Sequence, residues 1–239
     1  MRRRFFVEQF IVRSAVIEGD TAHHLGRVLR AQPGQLYELS DGTAVWLGRI
    51  ETVARDRIEF ALLEEIPTQQ PSVDLTLLLS IVKFDAFEWA IEKATELGVA
   101  MIVPVAAARS EKALLAAAEK RSDRWRKILI EASQQSRRIR VPVLSQPLRS
   151  GPAFNEAYPL GAKVMLSERS DAPALREILS SATVCQATLA IGPEGGWTGE
   201  EFTSATAAGF RQASLGALIL RTETAVVAAL ASLNYALKK

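Results

Sequence analysis

Behind the apolar run QATLA, the stretch IGPEGGWTGEEF from Ile191 to Phe202 sets four glycines and a proline about Glu194 and then turns acidic at Glu200 and Glu201. Glycines leave the main chain bare, so that its N–H and C=O groups can approach a heterocyclic ring and a ribose closely. The stretch does not read as a phosphate cradle. It lacks the Gly-Lys-Ser/Thr of a P-loop, and its G-x-x-G-G-x-x-G spacing, late in the chain, departs from the G-x-G-x-x-G dinucleotide fingerprint. A carboxylate inside a phosphate site would repel its ligand strongly at low effective dielectric, so Glu194 favours a neutral or cationic one.

A second stretch, SLGALILRTETAVVAAL from Ser214 to Leu230, interrupts an apolar pattern with Arg221 and Glu223. Thr222 suits the N-cap of the alanine-rich helix that follows, and Glu223 suits its positive end. Arg221 does not, because a cation at a helix N-terminus is electrostatically unfavourable; a specific partner is the better reason for it. Metal chemistry is not expected. His23 and His24 are adjacent and Cys185 is the only cysteine, which is poor material for a metal site, a catalytic triad or a disulfide framework.

The elements that must position these residues read as two blocks. In the first seventy residues FFV, LYELS, TAVWLGRI and RIEFALLEE look like strands, with one short helix near Thr21 to Arg30 and turns at Pro33-Gly34 and Asp41-Gly42. The polar, proline-bearing PTQQPS, Pro67 to Ser72, marks the boundary, giving domains 1–70 and 73–239. Beyond it apolar strands alternate with amphipathic helices: VDLTLLLSIV, AMIVPV, PVL, KVMLS and QATLAI are strands. Helices are predicted from Asp85 to Gly98, from about Ser122, near Ala172 to Ser181 and after Thr198. Asp85 with Glu88, and Thr198 with Glu201, have capping-box spacing. The pattern specifies an α/β fold with a mainly parallel sheet, whose ligands bind at the carboxyl ends of strands, where Gly192 stands.

The chain has 239 residues, a hydrophobic share of 48% and a net charge of only +2, but its charge is unevenly distributed. Lys120 to Arg140 holds eight basic residues against Asp123 and Glu131, and Arg2, Arg3, Arg4, Arg27 and Arg30 form a second cluster. Local surplus of this kind attracts polyanions. No membrane span or signal peptide is read, so a cytoplasmic location is expected.

The pairing of IGPEGGWTGEEF with LGALILRTETA resembles the RsmE family of ribosomal RNA methyltransferases, of the SPOUT class. RRFFV, HHLGRVLR, KFDAFEWAIEKATELGV and EASQQSRRIRVPVL extend the likeness along the chain. The resemblance implies a small PUA-like β-barrel that binds RNA, followed by a trefoil-knotted α/β domain that binds S-adenosylmethionine. It also implies a homodimer that methylates N3 of one uridine in 16S rRNA of the small ribosomal subunit. Carried over by motif, the cofactor-binding residues are Leu166, Ser167 and Glu168; Ile191, Gly192, Pro193, Glu194, Gly195 and Gly196; and Ser214, Leu215, Gly216, Leu220, Thr222 and Ala225. A doubly cationic cofactor accounts for Glu194. Two departures stand out: Arg137 where the family usually has glycine, and Ala217-Leu218 where it usually has Pro-Arg.

For uracil N3 to accept a methyl group it must lose a proton, and negative charge then spreads to O2 and O4. Arg221 is the candidate to stabilise that charge, with Glu223 or Glu194 as general base. The edge carrying N3 is the pairing edge, so the base must be extruded. Phosphate contacts are expected from Arg2, Arg3, Arg4, His24, Arg27, Arg30, Arg137, Arg138 and Arg140. Rival readings are a SPOUT enzyme acting on another RNA and a non-catalytic RNA-binding assembly protein. A nicotinamide oxidoreductase is more distant, because its fingerprint is missing.

Overall fold

The structure, a computed structural model, describes residues 3–68, 73–156, 158, 161–180 and 186–237. Arg2, Cys185 and part of the predicted boundary segment, 69–72, lie outside the described residues. The chain divides into two compact units, residues 1–70 with 133–141, and 71–132 with 142–239.

The first unit carries β1 (Arg4–Phe6), β2 (Ser14–Glu18), a short helix α1 (Gly19–His23) that runs into a π-turn at His24–Val28, β3 (Leu36–Ser40), β4 (Val45–Val53) and β5 (Arg57–Glu65). They form a sheet in the order β1-β3-β4-β5-β2, antiparallel except for the parallel β1–β3 pair. Its core gathers Phe5, Ile17, Leu25, Leu39, Ile50 and Phe60, all nearly inaccessible to solvent. β2 was not anticipated, because SAVIE is short and lies directly before the helix.

The second unit runs β6 (Asp74–Ser80), α2 (Phe84–Glu96), β7 (Val99–Ala106), α3 (Lys112–Ala118), α4 (Ser122–Gln135), β8 (Val143–Leu144), β9 (Leu148–Arg149), α5 (Ser150–Asn155), β10 (Ala162–Leu166), α6 (Leu175–Ser180), β11 (Gln186–Ile191), α7 (Gly199–Ala207), β12 (Arg211–Ala213) and α8 (Thr222–Leu237). The last residues of α4 belong to the first unit. The sheet order is β12-β10-β11-β6-β7-β8 with every pair parallel, and β9 adds to β7. β6 and β11 lie side by side at its centre and are buried along almost their whole length, as their unbroken apolar runs require. No helix of the described residues is long and apolar enough to cross a membrane.

Two helix starts differ from expectation. α2 begins at Phe84 with Lys83 before it and no side-chain cap, so Asp85 lies within the first turn. Glu88 is not a capping partner: it is buried and accepts from Arg124 at 2.8 Å and Arg121 at 3.2 Å. Thr222 is the first residue of α8 rather than its cap, and the Arg221 carbonyl accepts the helical bond from Ala225 N–H at 2.9 Å. At α7 the expected capping box is present: Glu201 N–H donates to Thr198 Oγ1 at 3.2 Å and Thr198 N–H donates to Glu201 Oε2 at 2.9 Å.

Candidate active site

A cavity of about 500 Å³ opens at the carboxyl ends of β7, β10, β11 and β12, where a parallel sheet presents its ligand sites. Residues 166–169 from the end of β10, 191–197 from the end of β11 and 214–222 after β12 line it, together with Arg109 after β7, Phe202 and Ala225. Every residue carried over for the cofactor therefore borders one space.

Main-chain bonds shape these loops. Gly196 N–H donates to the Pro193 carbonyl at 2.8 Å and closes a turn in which Gly196 takes a φ of +68°, a conformation that disfavours side chains. Ser167 N–H donates to Ala213 O at 2.9 Å, and Leu175 N–H to Ser214 O at 2.9 Å, which joins two of the three loops. The Ser214 hydroxyl donates to Gly216 O at 3.0 Å and accepts from Gly216 N–H at 3.2 Å. The Thr222 hydroxyl donates to Gly192 O at 3.2 Å and so ties the start of α8 to the glycine loop.

Side chains then give the cavity its chemistry. Ile191 and Pro193 are buried, whereas Glu168, Glu194 and Arg221 are exposed on the wall. Trp197 is buried against Gly192, and a Cβ there would come 3.1 Å from the indole nitrogen, so the glycine keeps open a space that a methyl group would fill. The Trp197 Nε1–H is itself buried and has no hydrogen-bond partner among the described residues. Open main chain and two carboxylates suit a ligand that joins a flat polar heterocycle to a positively charged group. Arg221 and Glu194 share the wall; Glu223 is not part of it. Among the described residues no group of three or more His, Cys, Asp or Glu could hold a metal ion.

The cavity also includes residues absent from the sequence expectations: Arg109, Arg169, Trp197 and Phe202. Arg109 had no motif to mark it, although it follows the strand AMIVPV at the end where ligands bind. Arg169 lies over the Phe202 ring, 5.6 Å from its centroid, and pairs with Asp171 at 3.2 Å.

The residues expected to contact phosphate all belong to the first unit. Arg3, His24, Arg27, Arg30, Arg137 and Arg140 are exposed. Arg4 is not available: it is buried, donates to Glu38 from Nη2 at 2.8 Å and from Nε at 3.1 Å, and also donates to the Arg137 carbonyl. The Arg137 guanidinium binds the other oxygen of the same carboxylate. Arg138 is half-buried and donates to Arg140 O at 3.1 Å; burial, with the nearby Arg140 charge, pulls it down to about 10.

Comparison with known proteins agrees with this geometry. The family described as RNA methyltransferase domain matches residues 68–234, and the RNA methyltransferase PUA domain matches residues 17–63. Fold and cavity thus define an RNA methyltransferase of the SPOUT type with a PUA-like unit ahead of it. The chain belongs to the ribosomal RNA small subunit methyltransferase E family. A member from Synechocystis is 34% identical over 95% of this chain and 75% of its own length, and one from Bacillus subtilis is 31% identical over 92% and 89%. The crystal structure of the Neisseria gonorrhoeae member bound to S-adenosyl methionine has a TM-score of 0.89 and 31% identity, covering 98% of both chains.

Proposed function

We propose that this chain transfers a methyl group from S-adenosylmethionine to N3 of a uridine in 16S rRNA of the small ribosomal subunit. The observation that carries the reading is the convergence of 166–168, 191–196 and 214–216 on one cavity edged by Glu168 and Glu194, in a chain of this family. The bare main chain of the glycine loop holds the adenosine part, and the two carboxylates favour the positive charges of the donor. When bound, S-adenosylmethionine supplies an electrophilic methyl group on a sulfonium, which needs no metal for activation.

The chain's own work is alignment and charge. Holding donor and acceptor in one cavity removes about 7 kcal/mol or more of the barrier. Arg221, exposed on the wall, stabilises the charge that spreads to uracil O2 and O4 as N3 loses its proton. Glu194 shares that wall and receives the proton; Glu223 stands at the N-terminal turn of α8, where the helix dipole stabilises its carboxylate. The first unit, with Arg3, Arg27, Arg30 and Arg140 exposed, holds the RNA backbone.

The reading extends to a trefoil knot in the second unit and to a homodimer working in the cytoplasm. Support for the dimer comes from large apolar side chains left in solvent: Leu218 and Ile219 at 82% and 77% exposed, Tyr235 on α8 at 89% and Trp89 on α2 at 43%. Sedimentation velocity at micromolar concentration tests it, with a single 26 kDa species as the opposing result.

The function is tested by methyl transfer from labelled cofactor to small subunits and to free 16S rRNA, with digestion and mass spectrometry of the product. Label in 3-methyluridine is the expected result. Label in another nucleoside, or none in the presence of bound cofactor, overturns it.

A further inference from the structure

Arg109 stands apart in sequence from the three loops of the cavity, yet it reaches two of their carbonyls. Its Nη1 donates to Gly195 O at 2.6 Å and lies 3.5 Å from Trp197 O, and a Cβ on Gly195 would sit 3.4 Å from the arginine Cβ and Cδ. The main chain beside it is held as well. Ala108 N–H donates to Glu201 Oε1 at 2.9 Å, while Oε2 of the same buried carboxylate takes Thr198 N–H. Residues 107–110 and 193–198 are therefore braced against each other even without the arginine side chain.

That brace uses one edge of the guanidinium. Its Nε and Nη2 have no partner among the described residues, and the group is exposed on the cavity wall. Two carbonyls orient the charge without cancelling it, and the free edge is a planar fork suited to a phosphate. Of the other cations on the wall, Arg169 is paired with Asp171 and Arg221 serves the uracil oxygens. Glu168 and Glu194 repel any phosphate that accompanies the base to the cavity. An extruded nucleotide brings such a phosphate with it.

We propose that Arg109 is a positioning residue with two edges, one holding the glycine loop and the other holding a phosphate next to the target uridine. This rests on the function proposed above. The test compares Arg109→Gln, which can keep a hydrogen bond to Gly195 O but loses the charge, with Arg109→Lys, which keeps the charge but loses the fork. Cofactor affinity is measured by calorimetry. The subunit concentration giving half the maximal single-turnover rate is measured over a range of salt.

For R109Q the half-saturating subunit concentration should rise about tenfold or more and the salt slope should fall by about one, with cofactor affinity within threefold of the parent. R109K should keep the parent slope. An R109Q protein with unchanged half-saturation and slope, whether or not its cofactor affinity falls, overturns the proposal and leaves Arg109 as a brace for the loop alone. Failure of the parent protein to bind cofactor or methylate subunits would instead remove the functional reading beneath it.

Discussion

In the second unit the charged groups around the cavity stand in solvent on a frame made by main-chain hydrogen bonds, whereas in the first unit Arg4 and Arg137 converge on one buried carboxylate, Glu38. Both regions look alike as sequence, since each is a set of short, separated runs with conspicuous charge. They differ in what those charges are for. Glu194, Arg109 and Arg221 are held at the surface of a cavity and can meet a ligand, while Arg4 is committed to the fold. An arginine count overstates the polyanion surface wherever a buried acid lies within reach.

The sharpest way to break this contrast is to remove Glu38. Among the described residues Glu38→Ala leaves buried Arg4 with only the Arg137 carbonyl to receive it, and breaking a buried pair by deleting one partner costs about 3–5 kcal/mol. Urea denaturation followed by tryptophan fluorescence should show the loss, with Trp46 reporting on the first unit. A change below about 1 kcal/mol would mean that the Arg4–Glu38 pair contributes little beyond its own desolvation.

The matching change in the cavity should leave stability alone and remove chemistry. Arg221 is exposed and its main-chain carbonyl, not its side chain, accepts the bond from Ala225 N–H. Arg221→Ala should therefore unfold at the parent denaturant concentration while its single-turnover methylation rate falls by about 100-fold or more. A near-parental rate would remove Arg221 from the chemistry, and a large loss of stability would place it with Arg4 instead.

How far the sequence could anticipate this molecule depended on the range of each interaction. The Thr198–Glu201 capping box spans three residues and formed as expected. Asp85 and Glu88 have the same spacing, yet Glu88 is claimed by Arg121 and Arg124, side chains on the far side of β7 in sequence. The three cavity loops were legible because each follows a strand in a recognisable motif. Arg109, one arginine in AAARS, lacked any motif and became visible only when the strand ends were brought together. Glu38 sits in LYELS, where alternation announces a strand but not the two guanidiniums that reach it from residues 4 and 137. Short elements such as β2 and α5 were missed because too few residues carry their periodicity.

The smallest predicted effect lies at Arg137, where the family usually has glycine. Arg137 takes a φ of +57°, in the left-handed region that glycine enters freely and a residue with a Cβ enters at a cost of about 1–2 kcal/mol. Arg137→Gly relieves that strain but loses the bond to Glu38, a pair whose arginine side chain is 40% exposed and therefore screened, contributing about 0–1 kcal/mol. Glycine also gives the unfolded chain more freedom, which offsets another ~0.4–1 kcal/mol. The terms nearly cancel, so the unfolding midpoint should move little, and Arg4 should stay paired because the carbonyl of residue 137 still accepts from it. A loss above about 2 kcal/mol would show that Glu38 needs both guanidiniums. It would also mean that this chain has replaced a conformational requirement with an ionic one.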